Sequence, residues 1–105
     1  MRAVRIIELG RPPQAGEAPE PETGPGDVVL EVLAASLNPI DIAVGSGRFY
    51  GGHPPLPYVP GCEAVGRVRG SERLVWAFGG GLGVARDGGM AELAAVPESS
   101  LTDVP

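Results

Sequence analysis

The chain has 105 residues, 43% of them apolar and 20% charged, with one cysteine and a net charge of −5. At this size folding buries roughly 65% of the unfolded chain's surface, which allows one hydrophobic core and excludes two. The 8 cations are all arginines scattered singly, so there is no basic stripe for nucleic acid and no basic amphipathic stretch for a membrane surface. One cysteine supplies neither an internal disulfide nor a zinc knuckle.

Met1-Arg2-Ala3-Val4-Arg5 opens a strand pattern instead of a signal peptide, and no apolar run approaches the roughly 20 residues of a transmembrane helix. The expected location is therefore cytoplasmic. Residues 1–9 are the first predicted strand, and the Pro/Glu-rich stretch 11–26 is read as an extended edge segment because strong strand patterns flank it closely. In residues 27–35, Val28, Leu30, Val32 and Ala34 alternate with Val29, Glu31 and Leu33. Both faces are largely apolar, so this strand is expected to lie deep.

Asn38 is placed to cap a short helix over residues 39–44, with Pro39 at its first position and Gly45 stopping it. Further strands are predicted over 63–69, 73–78 and 90–96, separated by glycine clusters; the chain carries 17 Gly and 12 Pro. Short strands joined by turns, with one brief helix, make an all-β chain folded as a small antiparallel barrel that closes its own edges. Gly79-Gly80-Gly81-Leu82-Gly83 is read as a loop between strands. Arg86 stands where a dinucleotide fingerprint needs its third glycine, and no helical pattern follows to receive a pyrophosphate.

Four segments in order carry a resemblance: Pro25-Gly26-Asp27-Val28-Val29-Leu30-Glu31-Val32, Ala34-Ala35-Ser36-Leu37-Asn38-Pro39-Ile40-Asp41, Pro60-Gly61-Cys62-Glu63-Ala64-Val65-Gly66-Arg67-Val68 and Gly88-Gly89-Met90-Ala91-Glu92-Leu93-Ala94-Ala95-Val96-Pro97. Together they resemble the N-terminal GroES-like domain of the medium-chain dehydrogenase/reductase superfamily. The resemblance implies a GroES-like antiparallel β-barrel over residues 1–105. Zinc alcohol dehydrogenases are similar but place Cys where Asn38 stands and His where Cys62 stands, and their third ligand would lie beyond Pro105. A catalytic zinc needs three protein ligands, so the chain is read as zinc-free, similar to the quinone oxidoreductase and enoyl reductase branch.

That branch implies hydride transfer from NADPH or NADH to a quinone or an α,β-unsaturated carbonyl, with most of the nucleotide held by a Rossmann domain past Pro105. The 105-residue chain alone is then expected to be inactive, and the intact enzyme leaves room for a homodimer. By the same resemblance, Asn38, Pro39, Ile40 and Asp41 line the nicotinamide end of the cofactor cleft. A different class of reading is a free-standing GroES-like binding or assembly module without catalysis.

Single residues are weighed on their own chemistry. The Asn38 amide both donates and accepts, which suits it to fix a carboxamide or an enolising oxygen, or simply to cap the helix. Asp41 is foremost a structural carboxylate near the helix start, with a proton path as the other reading. Tyr50 is the candidate proton donor, although the position two residues after Asp41, where quinone reductases often carry a tyrosine, holds Ala43. Glu63, in an otherwise apolar strand, is either buried with partners or lines the cleft; a partner is expected, because an unpaired buried carboxylate would cost several kcal/mol. Cys62 is read as a small buried strand residue, Tyr58 as a packing ring over the loop, and His53 is given no role.

Overall fold

The computed structural model describes residues 1–105 and begins with a two-stranded ribbon, β1 (Arg2–Arg5) paired antiparallel with β2 (Gln14–Glu17). The proline-rich stretch thus pairs only in the short piece between Pro13 and Pro19, because proline has no N–H to give to a ladder. There follow β3 (Asp27–Ala35), α1 (Pro39–Gly45), β4 (Glu63–Val68), β5 (Leu74–Phe78), β6 (Leu93–Pro97), a 3-10 turn at Glu98–Ser100 and β7 (Leu101–Asp103). Strands β6, β3, β4, β5 and β7 form one antiparallel sheet in that order. No helix is long and apolar enough to cross a membrane.

The sheet curls into a half-barrel, and the ribbon closes on it through single bridges instead of a continuous ladder. Ala3 lies opposite Ala91 and Ile6 opposite Tyr58, and the Val4 N–H donates to the Met90 carbonyl at 2.9 Å. Met90 and Ala91 are therefore engaged with the first strand, which is why β6 begins at Leu93 and not at residue 90. The first strand ends at Arg5, earlier than its apolar pattern suggests, and β7 and the turn before it have no counterpart in the sequence reading.

The main core lies on the inner face of the sheet, where Leu30, Val75, Ala77, Leu82, Ala94 and Val96 pack together. Each fully buried Leu or Val there contributes about 1.5–3 kcal/mol relative to exposure. A second cluster joins Ala3, Ala18 and Val59, and a third, under α1, joins Ile6, Val44 and Tyr58. Tyr58 is thus a core residue and not a ring lying over a loop. Gly66 is required by the close approach of β3: a Cβ there would run into the Glu31 carbonyl.

Strand β3 corrects the expectation that it lies deep. Only Leu30 is buried, Leu33 is 62% exposed, and Ala34 and Ala35 are exposed as well. Two observations account for this. The register with β4 shifts between Val32 and Ala34, and pairing with β6 ends at Glu31, so the second half of β3 leaves the core and delivers residues 36–38 to the rim.

Candidate functional site at the start of the helix

The rim where β3 runs into α1 is held by Asp41. Asn38 has extended backbone angles (φ −117, ψ 158) and is the N-cap of α1, with Pro39 at the start of the helix. The Asp41 N–H donates to the Asn38 carbonyl at 2.9 Å, and the Asn38 N–H donates back to Asp41 Oδ2 at 2.8 Å. The other carboxylate oxygen, Oδ1, accepts from the Cys62 N–H at 2.9 Å. Asp41 is buried, and both of its oxygens are engaged by backbone donors, so it clamps the helix start to the entry of β4.

This clamp brings Asn38, Cys62 and Glu63 together. Asn38 Nδ2 lies 3.1 Å from Ser36 Oγ, 3.3 Å from Glu63 Oε1 and 3.6 Å from Cys62 Sγ. The Ser36 hydroxyl donates to Glu63 Oε1, and the Trp76 indole Nε1–H donates to Glu63 Oε2 at 2.8 Å. The partners that Glu63 needed are therefore Ser36, Asn38 and Trp76. Hydrogen bonds from Ser36, then Trp76, then Asn38 hold its carboxyl below the usual carboxylate range. Burial pushes the Cys62 thiol up, and the charge of Asp41 adds to that shift, so the thiolate is disfavoured.

The other expected residues fall differently. Pro39 is exposed beside Asn38, whereas Ile40 packs toward the cluster of Ile6, Val44 and Tyr58. On the helix it is Ile42, 53% exposed, that faces outward. Tyr50 stands 98% exposed with its ring tilted on Phe49, centroids 4.8 Å apart, and it makes no hydrogen bond to the Asn38 group. His53 stacks at 6.5 Å on Tyr58, whose own hydroxyl is buried and unpartnered. No three of the chain's His, Cys, Asp and Glu side chains come together as a metal-holding group.

Two residues of the site escaped the sequence reading. Trp76 looked like an ordinary strand residue, and Ser36 like part of a connecting run. The signal that could have found Trp76 is its place at alternate spacing with Phe78 on the outward face of β5, opposite the strand that carries Glu63. The two rings stack 5.8 Å apart. A groove of about 800 Å³ lies elsewhere, between Pro19, Glu20 and Pro21 on one side and Arg86 on the other, and does not reach Asn38. The glycine-rich loop leads into no helix; after it Arg86 pairs with Asp27 at 3.1 Å.

Comparison with known proteins agrees with this fold. The model of the alcohol dehydrogenase GroES-like domain matches residues 24–105. Among solved structures, the quinone oxidoreductase from Thermus thermophilus, also determined as its complex with NADPH, is 37% identical with a TM-score of 0.81 over 100% of this chain and 32% of its own. The quinone oxidoreductase-like protein 2 homolog of Nematostella vectensis is 35% identical over 99% of this chain and 30% of its own length. An NADPH-dependent alkenal/one oxidoreductase of Arabidopsis thaliana, described as chloroplastic, is 42% identical over 46% of this chain and 12% of its own. The chain spans about a third, or less, of the length of these relatives.

Proposed function

The chain belongs to the alcohol dehydrogenase GroES-like domain family of the medium-chain dehydrogenase/reductase superfamily, and from that premise we propose that it is the substrate-facing domain of a zinc-independent, NADPH-dependent reductase. Its acceptor in this reading is a quinone or an α,β-unsaturated carbonyl, its setting the cytoplasm, and its nucleotide grip a Rossmann domain outside residues 1–105. The carrying observation is the donor set at the rim: an amide at Asn38, a buried thiol at Cys62 biased toward its protonated form, and a carboxylate at Glu63 whose oxygens are already engaged. A zinc ion needs three deprotonated or neutral ligands around an open position, and this set does not fit one.

A nicotinamide fits better. The Asn38 amide lies beside the exposed Pro39, Leu37 and Ile42, which suits the face of a flat, weakly polar ring. The same rim has an ionised carboxylate and no cation in its hydrogen-bond network, so it offers nothing to a pyrophosphate. The reduced ring supplies the hydride when bound. Asn38, Pro39 and the exposed Ile42 shape the surface it meets, with Ile40 anchoring the turn to the core beneath; Asp41 keeps that surface in register with β4, and Tyr50 is the free hydroxyl left to deliver a proton.

Titration of NADPH against the 105-residue chain tests this. Binding is expected to be weaker than about 1 mM, because the groups that grip the adenine and phosphates lie elsewhere. Micromolar binding by the chain alone would overturn the reading, and so would a gain in melting temperature on adding Zn²⁺.

A further inference from the structure

Resting on the nicotinamide reading, we infer that Glu63 is a positioning residue that holds Asn38 with both amide hydrogens turned inward, so that Asn38 meets its ligand as a hydrogen-bond acceptor and not as a donor.

An asparagine amide has two N–H hydrogens at one end and a carbonyl oxygen at the other. Around Nδ2 stand three acceptors, Ser36 Oγ, Glu63 Oε1 and Cys62 Sγ, at 3.1, 3.3 and 3.6 Å. Two hydrogens face three acceptors, and none is left over. Turning the amide over would set its carbonyl oxygen against a carboxylate oxygen at the same separation, with no hydrogen between them. The orientation is therefore decided by Glu63, since an ionised carboxylate can only accept.

Glu63 is itself held from both ends. The Trp76 indole, a donor with no acceptor capacity, takes Oε2 at 2.8 Å. The hydroxyl of Ser36 has one hydrogen; it goes to Oε1, and its oxygen then accepts from Asn38. Every donor in the network reaches one carboxylate, so freeing the Asn38 hydrogen on Glu63 breaks a charge-assisted bond, and freeing the other breaks its bond to Ser36 Oγ or Cys62 Sγ.

This chooses between the two tasks open to Asn38. An oxygen that gains negative charge as hydride arrives needs donors aimed at it, and Asn38 has none to spare. A carboxamide N–H needs an acceptor, which Asn38 Oδ1 is. Asn38 therefore orients the nicotinamide carboxamide, and the substrate oxygen is stabilised by another group.

The test is made on the 15N-labelled chain with Glu63→Gln and Trp76→Phe, and with two probes: reduced nicotinamide mononucleotide and its reduced 3-acetylpyridine analogue, which keeps the carbonyl but lacks the amide hydrogens. Both substitutions are expected to move the Asn38 side-chain resonances and to speed their hydrogen exchange about fivefold. Trp76→Phe is the decisive one, since Trp76 shares no hydrogen bond with Asn38 and acts only through Glu63; it also covers the case in which Glu63→Gln fails to fold. The carboxamide probe is expected to bind about threefold or more tighter than the acetyl analogue and to shift Asn38. Asn38 resonances unmoved in Trp76→Phe would overturn the positioning role, and equal binding of the two probes would overturn the acceptor role. If neither probe shifts any resonance even at about 30 mM, well above the millimolar weakness expected of the lone domain, the nicotinamide reading falls together with the acceptor role, while the inward orientation is decided separately by the variants' spectra.

Discussion

The two faces of β5 serve different ends. Val75 and Ala77 are 0% and 1% exposed on the inner face, while Trp76 and Phe78, their immediate neighbours, are 38% and 55% exposed on the outer one. Inside, the strand contributes dispersion and water exclusion to the core. Outside, it contributes one oriented indole N–H to Glu63. Because the pleat sends successive side chains to opposite faces, stability and site organisation are written into one strand and can be altered separately.

Substitutions ordered by expected effect sharpen that contrast. Leu30→Ala on the inner face leaves a cavity in the main core and is expected to cost about 3 kcal/mol, read as a lower urea midpoint. Gly66→Ala drives a methyl group into the β3 backbone and is expected to cost about 2 kcal/mol by the same measurement; no change would mean that β3 and β4 can separate freely. Asp41→Asn keeps one acceptor where two backbone N–H groups need one each, and a loss of about 1–2 kcal/mol is expected, with faster amide exchange at Cys62 or Asn38. On the outer face, Trp76→Phe is expected to change stability by no more than about 0.5 kcal/mol while still disturbing Asn38; a core-sized loss would erase the distinction between the faces.

The smallest effect is one of pH. Glu63 is held below its ordinary value of 4.5, so it binds fewer protons folded than unfolded. Its contribution is complete above the ordinary value and disappears as the pH falls through the lowered folded one. The gap in urea midpoint between wild type and Glu63→Gln should therefore be steady near neutrality and close on acidification below about 4.5. A gap that widened there would reverse the assigned direction.

Much of the fold was legible where local chemistry and tertiary context agree. Strand β3 occupies the expected residues 27–35, and α1 begins at Pro39 behind its Asn38 cap, because alternation and capping are short-range signals. The extended edge character of residues 11–26 was legible from the strand patterns on either side, but not that only Gln14–Glu17 would pair. Exposure along β3 was not legible. Apolar residues on both faces suggested depth, but the bulge after Val32 depends on β4, about 30 residues later, and the turning away of Met90 and Ala91 depends on the first strand, at the other end of the chain. Of the candidate site, Asn38 and Asp41 do meet at the helix start, as adjacent positions on one turn must. Trp76 joins them only through Glu63, while Ser36 touches both Asn38 and Glu63.

From residue order alone follow the β class and the one brief helix behind Asn38, since each depends on neighbours within a few positions. Folding in three dimensions decided which face of β5 is buried, that Asp41 would close on the Cys62 backbone, and that one carboxylate would gather hydrogens from Ser36, Asn38 and Trp76. Those outcomes depend on strand register, and register is settled by where the whole sheet can bury its apolar side.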